Sequence, residues 1–337
     1  MKHRCYYLDN VCCLLILNII YISHIAVSCS YYPTIIKIID AILSFSMSWF
    51  FFKGGMMHKK ESTKELFRKS KKRLLVPYLI FLLFGLLLDF IIRFINNENL
   101  TVILIKETFF CSKSAVVAST AASWFLLSLF AVRLLFNYLE KKVSPFILTG
   151  GLLFATYGIY LIQCYVGSFH MQYGGYHESY FIPDWMGNIC HGLLLYCLGY
   201  YLKEKQFDKV VFIPALLLFV LKFFIPAGIN FRYNDAFDGP YLLAVIYGIA
   251  GCIVFNNLFK RYVNINIKMF TYMGRNSMLY YLIHYPVMYT TKKLFWFYVE
   301  KYDISICYFL LSFVVTAFLI LAEFLFRNKR MQFIIGG

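Results

Sequence analysis

Apolar runs of about 20 residues follow one another along almost the whole chain, each long enough for a helix across a hydrocarbon layer of about 30 Å. They fall at roughly 11–28, 34–52, 74–95, 116–137, 146–166, 188–202, 210–228, 241–259, 271–291 and 304–326. The gaps between them alternate in charge. One set holds Lys2 and Arg4, the dense stretch Lys53 to Arg73, Lys141 and Lys142, Lys203, Lys205 and Lys209, Lys260, Arg261 and Lys268, and Arg327, Lys329 and Arg330. The other set holds only Lys106, Lys113, Arg232, Lys292, Lys293 and Lys301. The positive-inside bias therefore predicts an all-α, polytopic integral membrane protein with about ten transmembrane helices and both termini in the cytoplasm.

Composition excludes a soluble globule: at 61% hydrophobic and 15% charged, 337 residues carry too little polar surface to cover one. The formal charge of +16 suggests nucleic acid only until it is placed; concentrated on one face, it suits membrane topology and anionic lipid headgroups, and no nucleic-acid partner is expected. Cys12, Cys13, Cys164, Cys190, Cys197, Cys252 and Cys307 lie inside spans without metal-binding spacing and read as small apolar packing residues; no metal is assigned. The start of the chain imitates a signal peptide ending at Ala26-Val27-Ser28-Cys29. The apolar stretch is long for one and carries Asn18 and His24, so a retained first helix is expected.

The chain reads as one domain, 1–337, with short connections except the cytoplasmic basic loop 53–73 and the external loops 96–115 and 167–187. Transporter, flippase, sensor and enzyme all fit that architecture, so discrimination rests on polar groups at membrane depth, which are expensive there. His24 lies about thirteen residues into the first helix, or roughly 20 Å, in the outer half of the membrane. Asp40 on the second helix, Asp89 with Arg93 on the third, and His284 on the ninth fall at a similar depth, which suggests an outward-opening polar chamber. Lys37 with Asp40 (i, i+3) and Asp89 with Arg93 (i, i+4) have the spacing to neutralise one another. His24 has no acid at i±3 or i±4. His284, beside Pro286, suits either a site or a bond to a carbonyl freed by the proline. The stretch 58–73 suits, on composition, a topogenic or anionic-lipid-binding role before a phosphate-rich ligand. Aromatics of 167–187, Tyr176 and Trp185 among them, suit the faces of sugar rings or an interfacial belt.

Four segments, in order, resemble the acyltransferase-3 family of polytopic membrane O-acyltransferases. Tyr7-Leu8-Asp9 and the helix ending in His24-Ile25 resemble its opening Asp-to-His helix; residues 45–56, Phe45 to Met56, are similar to its "FHMPLFFFLSG" stretch; Lys72-Arg73-Leu74-Leu75-Val76-Pro77-Tyr78 is similar to "KRLLIPY"; and residues 274–287 resemble "G-x-N-S-L-x-I-Y-L-x-H-x-P". There are departures. A basic residue expected about three positions after Asp9 is replaced by Cys12 and Cys13, and Ser46, Ser48 and Gly54 stand where the family has His, Pro and Ser.

The resemblance implies ten spans and an enzyme that takes an acyl group, commonly acetyl, from cytoplasmic acyl-CoA to a hydroxyl of a capsule, O-antigen or exopolysaccharide glycan. It implies Arg68, Lys69, Lys72 and Arg73 as contacts for the donor's phosphates, and no permanently bound cofactor. His24 is then the general base or a transient acyl carrier, Asp40 orients its ring, and Trp185, Tyr176 and His284 line the acceptor site. The competing expectations are a transporter or flippase for a glycan or lipid-linked intermediate, and a catalytically silent relative.

Overall fold

The computed structural model describes residues 5–96, 115–172, 183–230, 235–237, 239–299, 303–326, 328 and 331–335. Its helices are α1 (Tyr6–Cys29), α2 (Thr34–Met56), α3 (Thr63–Ile95), α4 (Ala118–Leu139), α5 (Pro145–Gln172), α6 (Asp184–Leu202), α7 (Lys209–Leu221), α8 (Tyr241–Tyr262), α9 (Lys268–Arg275), α10 (Ser277–Val299) and α11 (Ile304–Phe326). One short ladder, Gly228–Asn230 with Asp235–Phe237, is the β-structure among the described residues. Among the described residues seven helices, α1 to α5, α8 and α11, are long and apolar enough to cross a membrane. Each remaining expected span also folds as helix: α6, the shorter α7, and α10.

Alternate connections gather at one end of the bundle, as charge patterning requires. There the Tyr7 amide donates to Asn264 Oδ1 (3.1 Å), Asn10 Nδ2 to the Val263 carbonyl (2.7 Å), Asn257 Nδ2 to the Gln206 carbonyl (2.7 Å), and Lys60 approaches Glu140 at 3.6 Å. This end carries the lysine- and arginine-rich segments and is called the basic end. At the opposite end Lys292 Nζ donates to the Ser28 carbonyl (2.7 Å), and Tyr31 stacks on Tyr308.

Three expected segments are corrected. The basic stretch 53–73 is a connection only between α2 and α3; from Thr63 it is helical and continuous with the next span. Ser62 caps that helix by accepting from the Glu65 amide (3.3 Å), the Ser-x-x-Glu arrangement of a capping box. The span expected at 271–291 is broken at Asn276, whose side chain donates back to the Tyr272 carbonyl (3.1 Å), and the long helix starts at Ser277. The span expected at 210–228 stops being helical at Leu221.

The halves of α2 and α6 nearest the basic end pack backbone to backbone. A Cβ on Gly55 would collide with the Tyr196 carbonyl, and one on Gly199 with the Phe52 carbonyl. With no hydrophobic drive between helices in lipid, such small-residue contacts supply packing that larger residues forbid. Gly55→Val is expected to cost about 3 kcal/mol, the upper range for overpacking. A large fall in thermal midpoint of the detergent-solubilised protein checks this; an unchanged midpoint would refute the close contact.

Candidate active site

His24 sits on a π-helical stretch of α1, Asn18–Ala26, a geometry that recurs at functional sites because the wider turn re-aims its side chains. Asn18 opens the stretch and ties it to the break in α2, donating to Ser46 Oγ (3.1 Å), which itself donates to the Leu43 carbonyl (2.6 Å). His24 Nδ1 lies 2.7 Å from Nε2 of His284 on α10, and the rings stack at 4.9 Å between centroids and 12° between planes. Tyr285 meets the His24 ring edge-on at 5.3 Å. His284 is fully buried and His24 half-buried.

Hydrogen-bond arithmetic assigns the tautomers. His284 Nδ1 lies 3.1 Å from the Tyr280 carbonyl, which can only accept, so Nδ1 carries the hydrogen. In the neutral ring Nε2 is then an acceptor, and it receives Nδ1–H of His24. The lone pair of neutral His24 is left on Nε2, where a general base or a nucleophile needs it. Pro286 frees the carbonyl of Leu282, four residues earlier, so the bond His284 makes to Tyr280 is not compensation for the proline. Both histidines are legible in the sequence; their pairing, across 260 residues, is not.

The carboxylates expected near His24 have other partners. Asp40 lies beside Ser23 and faces Lys222, a residue sequence reasoning missed; Lys37 is exposed. The Lys222 ammonium also donates to the Ala41 carbonyl and the Ser44 hydroxyl. Nδ1 of His24 is paired with His284, while Asp40 lies beside Ser23 and Lys222. Asp89 is buried and accepts from the Ser119 amide (3.4 Å).

All four residues expected at the donor site line one cavity of about 810 Å³ at the basic end. Arg68 and Lys72, and Lys69 and Arg73, are spaced four apart, which puts each pair on a common helix face. Lys59, Arg133 and Glu61 complete the charged lining. Lys69 is held by Glu61 (2.8 Å) and Glu65 (2.9 Å). Gly54, Met57 and Leu129 belong equally to a second, mainly apolar cavity of about 210 Å³, walled by Ile16, Met47, Phe50, Phe125, Leu126 and Tyr281, with Lys53 and Ser277 as its polar members. The two therefore adjoin. Tyr281, part of the apolar lining, has its ring centroid 5.9 Å from that of His284. Trp185 stands half-buried in the first turn of α6, and Tyr176 lies outside the described residues.

Residues 6–322 match the acyltransferase-3 family model, an acyltransferase domain. The chain belongs to this family. Comparison with curated proteins and with solved structures gave no significant match. The acyltransferase is thus a multi-pass membrane protein, and the matched region spans nearly the whole chain. Where this acyltransferase departs from the family pattern most of its substitutions are buried: Cys12 and Cys13 are fully enclosed, Ser46 receives Asn18, and Ser48 lies against Gly248, whereas Gly54 lines both cavities.

Proposed function

We propose that this acyltransferase transfers an acetyl group from cytoplasmic acetyl-CoA to a hydroxyl of a cell-surface or exported glycan, across the cytoplasmic membrane of the cell. One observation supports this most directly: a cation-lined cavity at the basic end adjoins an apolar cavity that leads toward the His24–His284 pair. That sequence of surfaces matches the donor's chemistry, since acyl-CoA carries phosphates at one end, an uncharged pantetheine arm, and the thioester at the other. Charge-assisted hydrogen bonds from Arg68, Lys72 and Arg73 hold the phosphates, and the apolar walls exclude water from the thioester.

In the chemical step, the acceptor hydroxyl attacks the thioester carbonyl while His24 Nε2 takes its proton. The ester C–O bond forms and the C–S bond breaks. The leaving thiolate recovers the proton from His24 and departs as the CoA thiol. While His24 is an imidazolium, the His284 Nε2 lone pair stabilises its Nδ1–H, the task a carboxylate performs in a catalytic triad. The alternative order, with His24 acylated first, uses the same nitrogen.

His284→Ala is expected to lower kcat by about 10²–10³ while leaving the donor KM within about twofold, because it removes orientation rather than a donor contact. His284→Gln, which keeps an acceptor for Nδ1–H, restores part of the loss. Equal losses in both variants, or a loss confined to KM, would contradict the pairing role. The assignment as a whole is tested by giving radiolabelled acetyl-CoA to inside-out and right-side-out membranes. Label on glycan only where the donor reaches the cytoplasmic face is expected. Glycan movement without label would replace the enzyme by a transporter.

A further inference from the structure

One cation of the donor cavity differs from the rest in origin and in support. Lys59, Arg68, Lys69, Lys72 and Arg73 come from the connection and helix between 57 and 73, whereas Arg133 comes from α4. Arg133 lies one helical turn from Leu129, which lines both cavities, so it stands on the α4 wall beside the neck where the wide basic cavity meets the narrow apolar one. Among the described residues no carboxylate comes within ion-pair distance of it; Glu61, across the same cavity, feels its charge but is held by Lys69, and Glu140 by Lys60.

Its support is buried. Arg133 lies beside the hydroxyl of Tyr196 on α6, close enough for its charge to act on it, and that hydroxyl lies 2.8 Å from His58 Nδ1. A guanidinium has no acceptor, so beside Arg133 the phenol turns its oxygen toward the cation and its hydrogen toward His58 Nδ1. That arrangement needs a neutral His58, and burial provides it, pushing the imidazole down to about 4. Tyr196 is fully enclosed and His58 nearly so, with Phe136 and Tyr200 edge-on to the imidazole. An arginine serving only membrane topology would need no such chain of buried polar groups.

We propose that Arg133 is a specificity-determining residue of the donor site: it grips the phosphate nearest the pantetheine arm and so sets how far the thioester enters the apolar cavity. The proposal rests on the acyl-CoA assignment of that cavity. Tyr196 and His58 are positioning residues, acting through Arg133. A nucleotide-bearing thioester is thereby told apart from the same thioester without phosphates.

The test uses the full-length protein in host membranes, with free thiol release followed for two donors, acetyl-CoA and S-acetylpantetheine. Arg133→Gln is expected to raise the KM for acetyl-CoA about ten- to hundredfold, the range for one lost charge-assisted hydrogen-bonded contact, and to leave S-acetylpantetheine unaffected. Arg133→Lys, which keeps the charge and guards against misfolding, should fall between. Tyr196→Phe, which keeps the ring but removes the hydroxyl, should reproduce part of the effect with the same donor selectivity. An unchanged acetyl-CoA KM in Arg133→Gln overturns the proposal, as does an equal rise for both donors, which would mark a structural role. A wild-type protein that releases no thiol from acetyl-CoA overturns the donor assignment itself, and Arg133 with it.

Discussion

Replacing His24 by alanine should abolish acyl transfer, with a fall in kcat of about 10³–10⁴, the upper range for loss of a positioned general base or nucleophile. The expectation rests on geometry: hydrogen bonds leave the lone pair of His24 on Nε2, on a π-helical stretch held by Asn18 and Ser46. The substitution leaves the buried Nε2 of His284 without its donor, a cost of about 1–3 kcal/mol, so membrane insertion should persist with a modest fall in thermal midpoint that cannot account for the loss of activity. Acetyl transfer to glycan and the detergent melting midpoint, measured on the same preparation, separate the two effects. Full activity in His24→Ala would end the proposed mechanism.

The second large effect is expected at the basic end. The triple variant Arg68→Gln, Lys72→Gln, Arg73→Gln should raise the acetyl-CoA KM by at least about a hundredfold, since each charge-assisted contact is worth about 1.5–3 kcal/mol and three are lost together. Lys69→Gln should matter less, because its ammonium is already shared between Glu61 and Glu65. Salt should weaken donor binding to the wild type in the same sense, with a screening length of about 8 Å at physiological ionic strength. Donor saturation curves at two salt concentrations, with protease mapping of the connections to confirm insertion, provide the check. A triple variant with normal KM would return these residues to the anchoring and lipid-binding role that their composition alone also allows.

Around His24, depth and contact prove to be separate properties. Asp40 and His24 share a depth, and depth is legible from sequence because a helix rises by a constant 1.5 Å per residue. Rotation about the helix axis is not legible. The break at Ser44–Phe45 and the π-helical stretch Asn18–Ala26 shift the faces of α1 and α2, and Asp40 turns to Ser23 and Lys222 while His24 turns to His284. Lys222 escaped notice for a related reason: it follows the last residue of α7 and reaches its partner on α2 only through packing.

Most of the architecture was local in origin. A membrane demands that every span satisfy its own backbone, so long apolar runs become helices whatever their neighbours do, and alternating Lys/Arg-rich gaps gather at one end of the bundle. The capping box Ser62-Thr63-Lys64-Glu65 is equally local, although its consequence, that the basic stretch is largely helix, was missed. Four motifs in order carried the family, which the match over residues 6–322 bears out. The site itself was decided by tertiary structure. His24 with His284, Arg133 with Tyr196 and His58, and the joining of a basic cavity to an apolar one each depend on which faces of distant helices meet. Those faces are set by close contacts such as Gly55 against Tyr196, between residues that no sequence period relates.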